Sequence, residues 1–87
     1  MRSQVILDHP GVFVLAHKPA SRGEGRILRL YSLSGMGDRV RLSLEADSIH
    51  SAFLCDARER DLRELPVIDG AVEFILPGTI VSLRLLT

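Results

Sequence analysis

The sequence predicts an all-β fold, a small antiparallel β-sandwich of immunoglobulin-like kind with six or seven strands. Three observations predict it. Short apolar stretches with the two-residue period of a strand recur at spacings of about ten residues, clusters of Gly, Pro, Asp and Ser separate them, and no stretch carries the period of a long amphipathic helix. The chain has 87 residues, of which 46% are apolar. That is enough for one core, although a domain of this size buries only about 60% of its unfolded surface. Residues 1–10 read as a linker or entry strand and residues 11–87 as a single β-sandwich domain.

Gln4 to Leu7 is short and apolar, and Asp8-His9-Pro10-Gly11 breaks it, since Pro lacks a backbone donor and Gly permits a sharp turn. Gly11 to Lys18 is the next strand, with Val12, Val14 and Ala16 on one face and Phe13, Leu15 and His17 on the other; both faces are expected to be covered. Pro19 to Gly25 is a polar loop. Arg26 to Leu33 is apolar on both faces, with Ile27, Tyr31 and Leu33 on one and Leu28 and Leu30 on the other. In Arg39 to Ala46, the apolar Val40, Leu42, Leu44 and Ala46 alternate with Arg39, Arg41, Ser43 and Glu45, so one face is buried. The turn Ser34-Gly35-Met36-Gly37-Asp38 is expected to fold these two strands into a hairpin.

Asp47-Ser48 turns the chain into a strand from Ile49 to Cys55. Asp56 to Glu64 is dense in charge of both signs and reads as a solvated connection, in which Leu62 and Leu65 could pin one helical turn that Pro66 ends. Val67-Ile68, the turn Asp69-Gly70 and Ala71 to Leu76 form a hairpin. After Pro77-Gly78, Thr79 to Leu86 closes the chain, with Val81, Leu83 and Leu85 facing inwards and Ser82 and Arg84 outwards. Phe74, Phe53, Phe13 and Tyr31 are expected to supply the large core pieces.

Eleven basic residues balance eleven acidic ones. No long-range field therefore favours nucleic acid or an anionic membrane as a partner. No apolar run reaches the roughly 18 residues of a bilayer span, and Met-Arg-Ser-Gln lacks the apolar core of a signal peptide, so a cytoplasmic setting is expected. Cys55 is the single cysteine. It reads as a small buried hydrophobe rather than a reactive thiol.

The residue types that carry chemistry are present without the spacing that chemistry needs. His9, His17 and His50 have no partner at ligand spacing on one element, so no metal is expected in this chain; Asp8-His9 reads as a side-chain-to-backbone turn. Ser32, Ser34, Ser43 and Ser82 lack a nucleophile elbow, and Glu24, Glu45, Asp47 and Glu73 read as solubilising charges rather than a glycosidase pair. No catalytic residue is assigned. Arg26, Arg29, Arg39 and Arg41 fall on the expected hairpin and would grip an anion or an acidic partner surface if they share a face. Arg29 has only apolar neighbours, Ile27, Leu28, Leu30 and Tyr31, so its charge needs a partner, for which another domain is a candidate. Lys18, Arg29, Tyr31, Arg39 and Arg41 are the candidate interdomain or ligand contacts. The absence of Trp weighs against an autonomous carbohydrate-binding module, for which Tyr31 is the one stacking platform.

Several pieces together resemble the C-terminal β-sandwich domain of glycoside hydrolase family 38, the α-mannosidases, especially the bacterial and cytosolic type. They are Asp8-His9-Pro10 before Val12 to Ala16, Lys18 and Ala20, Gly25, Arg29-Leu30-Tyr31 and Gly35, then Cys55-Asp56, Glu59-Arg60, Leu65-Pro66, Asp69-Gly70 and Ile80-Val81-Ser82-Leu83-Arg84-Leu85. The chain departs from the family pattern at Ser21 and Arg22, at Ser32 and at Gly78. The resemblance implies a retaining α-mannosidase parent whose zinc ion and aspartate nucleophile lie in an N-terminal catalytic domain outside these residues. It implies that this chain is a non-catalytic accessory domain or an excised part of a longer polypeptide, with the catalytic and central domains of that polypeptide as partners and mannosides as a further candidate. A free-standing, self-associating β domain is the remaining alternative.

Overall fold

A computed structural model describes residues 4–21, 23–33 and 37–87. Nine strands lie among them: β1 (Val5–Leu7), β2 (Val12–Pro19), β3 (Arg26–Ser32), β4 (Arg39–Leu44), β5 (Ser51–Cys55), β6 (Asp61–Leu65), β7 (Val67–Ile68), β8 (Ala71–Ile75) and β9 (Ile80–Leu86). They form a four-stranded sheet in the order β1-β4-β8-β7 and a five-stranded sheet in the order β2-β3-β9-β5-β6. Every pairing is antiparallel. The all-β sandwich expected from the sequence is therefore what the chain forms. Its strand count exceeds six or seven because β1, β6 and β7 are short or highly charged and carry little periodic signal of their own. No helix among the described residues is long and apolar enough to cross a membrane.

The core lies where the inner faces of the two sheets meet. Leu28, Leu30, Val40, Leu42, Val72, Leu83 and Leu85 are all fully buried there, joined by Leu76, Val81 and Phe74. The alternation in β4 and β9 that the sequence displays accounts for this, because a period of two delivers every second side chain to one face. Each such side chain contributes about 1.5–3 kcal/mol by leaving water.

Four expectations are corrected. Arg26 to Leu33 and Arg39 to Ala46 do not form a hairpin: β3 pairs with β2 and β9, whereas β4 pairs with β1 and β8 in the other sheet. The chain between them crosses from one sheet to the other; Ser34, Gly35 and Met36 of the expected turn lie outside the described residues, and Gly37 has φ of +103°. The helical turn expected around Leu62 and Leu65 is the edge strand β6, since Phe53 and Leu54 of β5 offer a ladder to Glu64 and Arg63. Leu65 reaches the core while Leu62 stays exposed. Strand β2 is not covered on both faces: it is an edge of the five-stranded sheet, and Phe13, Val14 and Leu15 are 49%, 42% and 55% exposed. Of the aromatic residues expected in the core, only Phe74 is there; Phe53 and Tyr31 are half-buried and Phe13 is exposed.

Side chains close both open ends of the sandwich. At one end Arg26, beside Leu85 in register, reaches Asp47 beyond β4 at 3.3 Å and so ties one sheet to the other. At the other, His9 Nδ1 accepts the Gly11 N–H at 3.0 Å and Nε2 stands 2.8 Å from Asp38 Oδ2. A neutral ring protonated on Nε2 satisfies both bonds. Asp8 Oδ1 accepts the Arg41 N–H at 2.8 Å, so Asp8-His9 is the side-chain-to-backbone turn its residue types suggested.

Candidate functional site

The outer face of the five-stranded sheet is built by residues whose neighbours on the chain point into the core. Register places Phe13, Tyr31 and Ile80 in one row across β2, β3 and β9, Ala16, Arg29 and Ser82 in the next, and Lys18, Ile27 and Arg84 in a third that continues to Phe53 of β5. A bulge at Leu15 shifts β2 by one residue and keeps this face in step.

The third row lies beneath an ionic lattice. Lys18 Nζ is 3.0 Å from Glu59 Oε2, and the Ser21 N–H donates to Glu59 Oε1 at 2.9 Å, which ties the loop after β2 to the turn after β5. Hydrogen bonds from Ser21, backbone and side chain, and from the Lys18 ammonium hold the Glu59 carboxyl down to about 2. Glu59 itself sits at φ of +65° in a turn whose first residue, Asp56, accepts the N–H groups of Arg58 and Arg60 through its carboxylate. The Arg60 N–H is the largest cause of that carboxyl's lowered pKa. Arg84 donates to both oxygens of Asp61 and to the Glu24 carbonyl at 2.9 Å, with its guanidinium 5.2 Å from the Phe53 ring centre. The pair lowers the Asp61 carboxyl and raises Arg84. Under this lattice Ile27 is completely buried although it belongs to the outer face.

Cys55 flanks the same lattice. Its Sγ is 3.4 Å from Asp61 Oδ1, and burial, followed by the bond to Asp61, pushes the thiol up to about 12. At neutral pH it is a buried protonated thiol, as its sequence position suggested.

The first row has no such cover. Ile80 is 59% exposed, Phe13 is 49% exposed, and Leu33, one step beyond Tyr31 on the same alternation, is 67% exposed. Between this apolar strip and the lattice lies half-buried Arg29, whose Nε donates to Ser82 Oγ at 3.2 Å. Among the described residues no carboxylate meets its guanidinium, whereas the other half-buried arginines, Arg26, Arg41 and Arg84, each have one.

Of the residues singled out from the sequence, Lys18, Arg29 and Tyr31 thus share this face. Arg39 and Arg41 do not. They lie on the outer face of the four-stranded sheet, where Glu73 pairs with Arg41 at 2.7 Å and with Arg39 at 3.8 Å. The four arginines therefore form no single basic patch. Sequence reasoning missed Glu59, whose partners are remote in the chain, and misplaced Phe13. It named Ile80 only within the closing stretch of the family resemblance and gave it no place on a face, though an apolar residue out of phase with Val81, Leu83 and Leu85 signals an outward-facing position. His9, His17 and His50 stay apart, and no group of three His, Cys, Asp or Glu residues that could hold a metal occurs among the described residues. Asp47 and Glu73 are held in ion pairs.

Such a face offers an apolar contact strip and a guanidinium able to receive an anion, next to a lattice whose charges are already paired. No curated protein and no solved structure matches this chain. A family model does match it over residues 11–84, and its description is "Glycosyl hydrolases family 38 C-terminal beta sandwich domain".

Proposed function

The chain belongs to the family of glycosyl hydrolase family 38 C-terminal β-sandwich domains, and from that membership we propose that it is a non-catalytic accessory domain that packs on, and stabilises, the catalytic part of an α-mannosidase. The parent enzyme hydrolyses α-mannosides in another domain of the same polypeptide. The observation that supports docking is the uncovered strip of Phe13, Leu33 and Ile80 on one outer face, whose third row is by contrast covered by the Lys18–Glu59 and Arg84–Asp61 ion pairs. Domains that fold against a neighbour keep incompletely polar surfaces of this kind. In this reading the zinc ion that the family implies, and its ligands, belong to the parent's catalytic domain, and the setting is cytoplasmic.

The test is to isolate the native polypeptide from its own cells with an antibody to this domain, then sequence it by mass spectrometry and assay it for α-mannosidase activity. Peptides of a much longer chain, with activity in the same fraction, are expected. A native polypeptide holding this domain and nothing else would overturn the reading. Exposed Phe13 beside Tyr31 favours one alternative, autonomous mannoside binding, which predicts a saturable shift of the Tyr31 signal on titration with mannosides.

A further inference from the structure

We propose that the row Phe13–Tyr31–Ile80 together with Arg29 is the surface that receives the neighbouring domain, and that this neighbour sets a carboxylate side chain against the Arg29 guanidinium. The inference rests on the accessory-domain reading and adds to it the face and the chemistry of the contact.

Two observations carry it. The first is charge. Arg29 is half-buried between apolar residues, its Nε is held by Ser82 Oγ, and among the described residues it lacks the carboxylate that Arg26, Arg41 and Arg84 each have. A partner that covered the adjoining apolar strip with apolar groups alone would leave that charge desolvated and uncompensated, a situation proteins avoid because it is strongly destabilising. A carboxylate meets the requirement, since the planar fork of a guanidinium presents two parallel donors to it.

The second observation is contrast with the opposite face. There Arg39 and Arg41 converge on Glu73, so the charges at its centre are already matched, and its exposed isoleucines, Ile6, Ile68 and Ile75, stand on three separate strands around them. On the Arg29 face exposed Phe13 and Ile80 flank half-buried Tyr31 in one register row across three strands, with the unmatched cation in the adjoining row. An apolar strip with an arginine at its margin is the composition of an interface centre.

The experiment uses the full native polypeptide. A photo-crosslinking benzoylphenylalanine replaces Phe13 in one preparation and Ile75 in another, and mass spectrometry identifies the peptides captured. Position 13 is expected to capture a peptide from elsewhere in the same polypeptide that contains Asp or Glu, and position 75 to capture none. Arg29→Gln and Ile80→Asp are then expected to speed proteolytic release of this domain roughly tenfold or more. Arg29→Lys should restore part of the resistance, and Ile75→Asp should leave it unchanged. Capture at position 75 instead of 13, a second copy of this domain as the captured species, or full resistance in both Arg29→Gln and Ile80→Asp would each overturn the inference. All three outcomes leave the length of the native polypeptide, and with it the accessory-domain reading, standing on its own measurement.

Discussion

Replacing Gly25 by alanine tests how closely the loop before β3 is pressed on the end of β9. Gly25 has φ of +98°, and a Cβ there would lie 2.5 Å from the Leu85 carbonyl oxygen and 2.7 Å from Leu86 Cδ2. Left-handed backbone costs an L-residue about 1–2 kcal/mol, and forcing an atom into backbone that cannot yield adds about 1–3 kcal/mol. Gly37 supplies the control. Its φ of +103° is nearly the same, yet among the described residues nothing lies within 4 Å of a Cβ built on it. Gly37→Ala is therefore expected to cost about 1 kcal/mol and Gly25→Ala about 3 kcal/mol. For a domain this small, each kcal/mol moves the melting temperature by roughly 4–8 °C, so the expected losses are roughly 4–8 °C and 12–24 °C. Thermal unfolding followed by circular dichroism reads both. Equal losses would refute the close contact with Leu85 and leave backbone strain as the sole cost.

Two further outcomes follow from the ionic lattice. Because the Glu59 carboxyl is held at about 2, below its ordinary 4.5, its contribution is fully present above about pH 4.5 and is lost as pH falls toward 2. Glu59→Gln should therefore melt below the parent at pH 7, with the gap closing by pH 2; a gap independent of pH would refute the role of its charge. A thiol at about 12 leaves about one part in ten thousand as thiolate at pH 8, so Cys55 should resist a thiol-specific reagent until the protein unfolds. Labelling of the native protein at the rate of a free cysteine would contradict its placement beside Asp61.

The strands were legible wherever one face is buried, because β4 and β9 write their two-residue period directly into the sequence. Pairing was not. The glycine-rich stretch from Ser34 to Asp38 has the composition of a hairpin turn, yet composition does not distinguish a chain that folds back in its own sheet from one that crosses to the opposite sheet. That one ambiguity also misassigned the candidate surface, since it grouped Arg39 and Arg41 with Arg29 across a hairpin that does not form. Arg29 itself was legible, because a charge among Ile27, Leu28, Leu30 and Tyr31 is conspicuous without knowing any partner. Phe13 was not, since a run of five apolar residues, Val12 to Ala16, does not reveal that its strand has a neighbour on one side only. Glu59 was invisible for a different reason: Ser21 and Lys18 are about forty residues away, and only the closure of the two loops brings them to it.

The position of β9 bears on how the domain emerges from a ribosome. Synthesis delivers β2–β3 and β5–β6 as two separate antiparallel pairs, and the strand that joins them into one sheet is the last of the nine to be made. Until residues 80–86 have cleared the exit tunnel, β3 and β5 each present an open edge and the core lacks Val81, Leu83 and Leu85. Folding is thereby deferred to the end of translation of this stretch, a single late step on which the cooperativity of the whole sandwich depends.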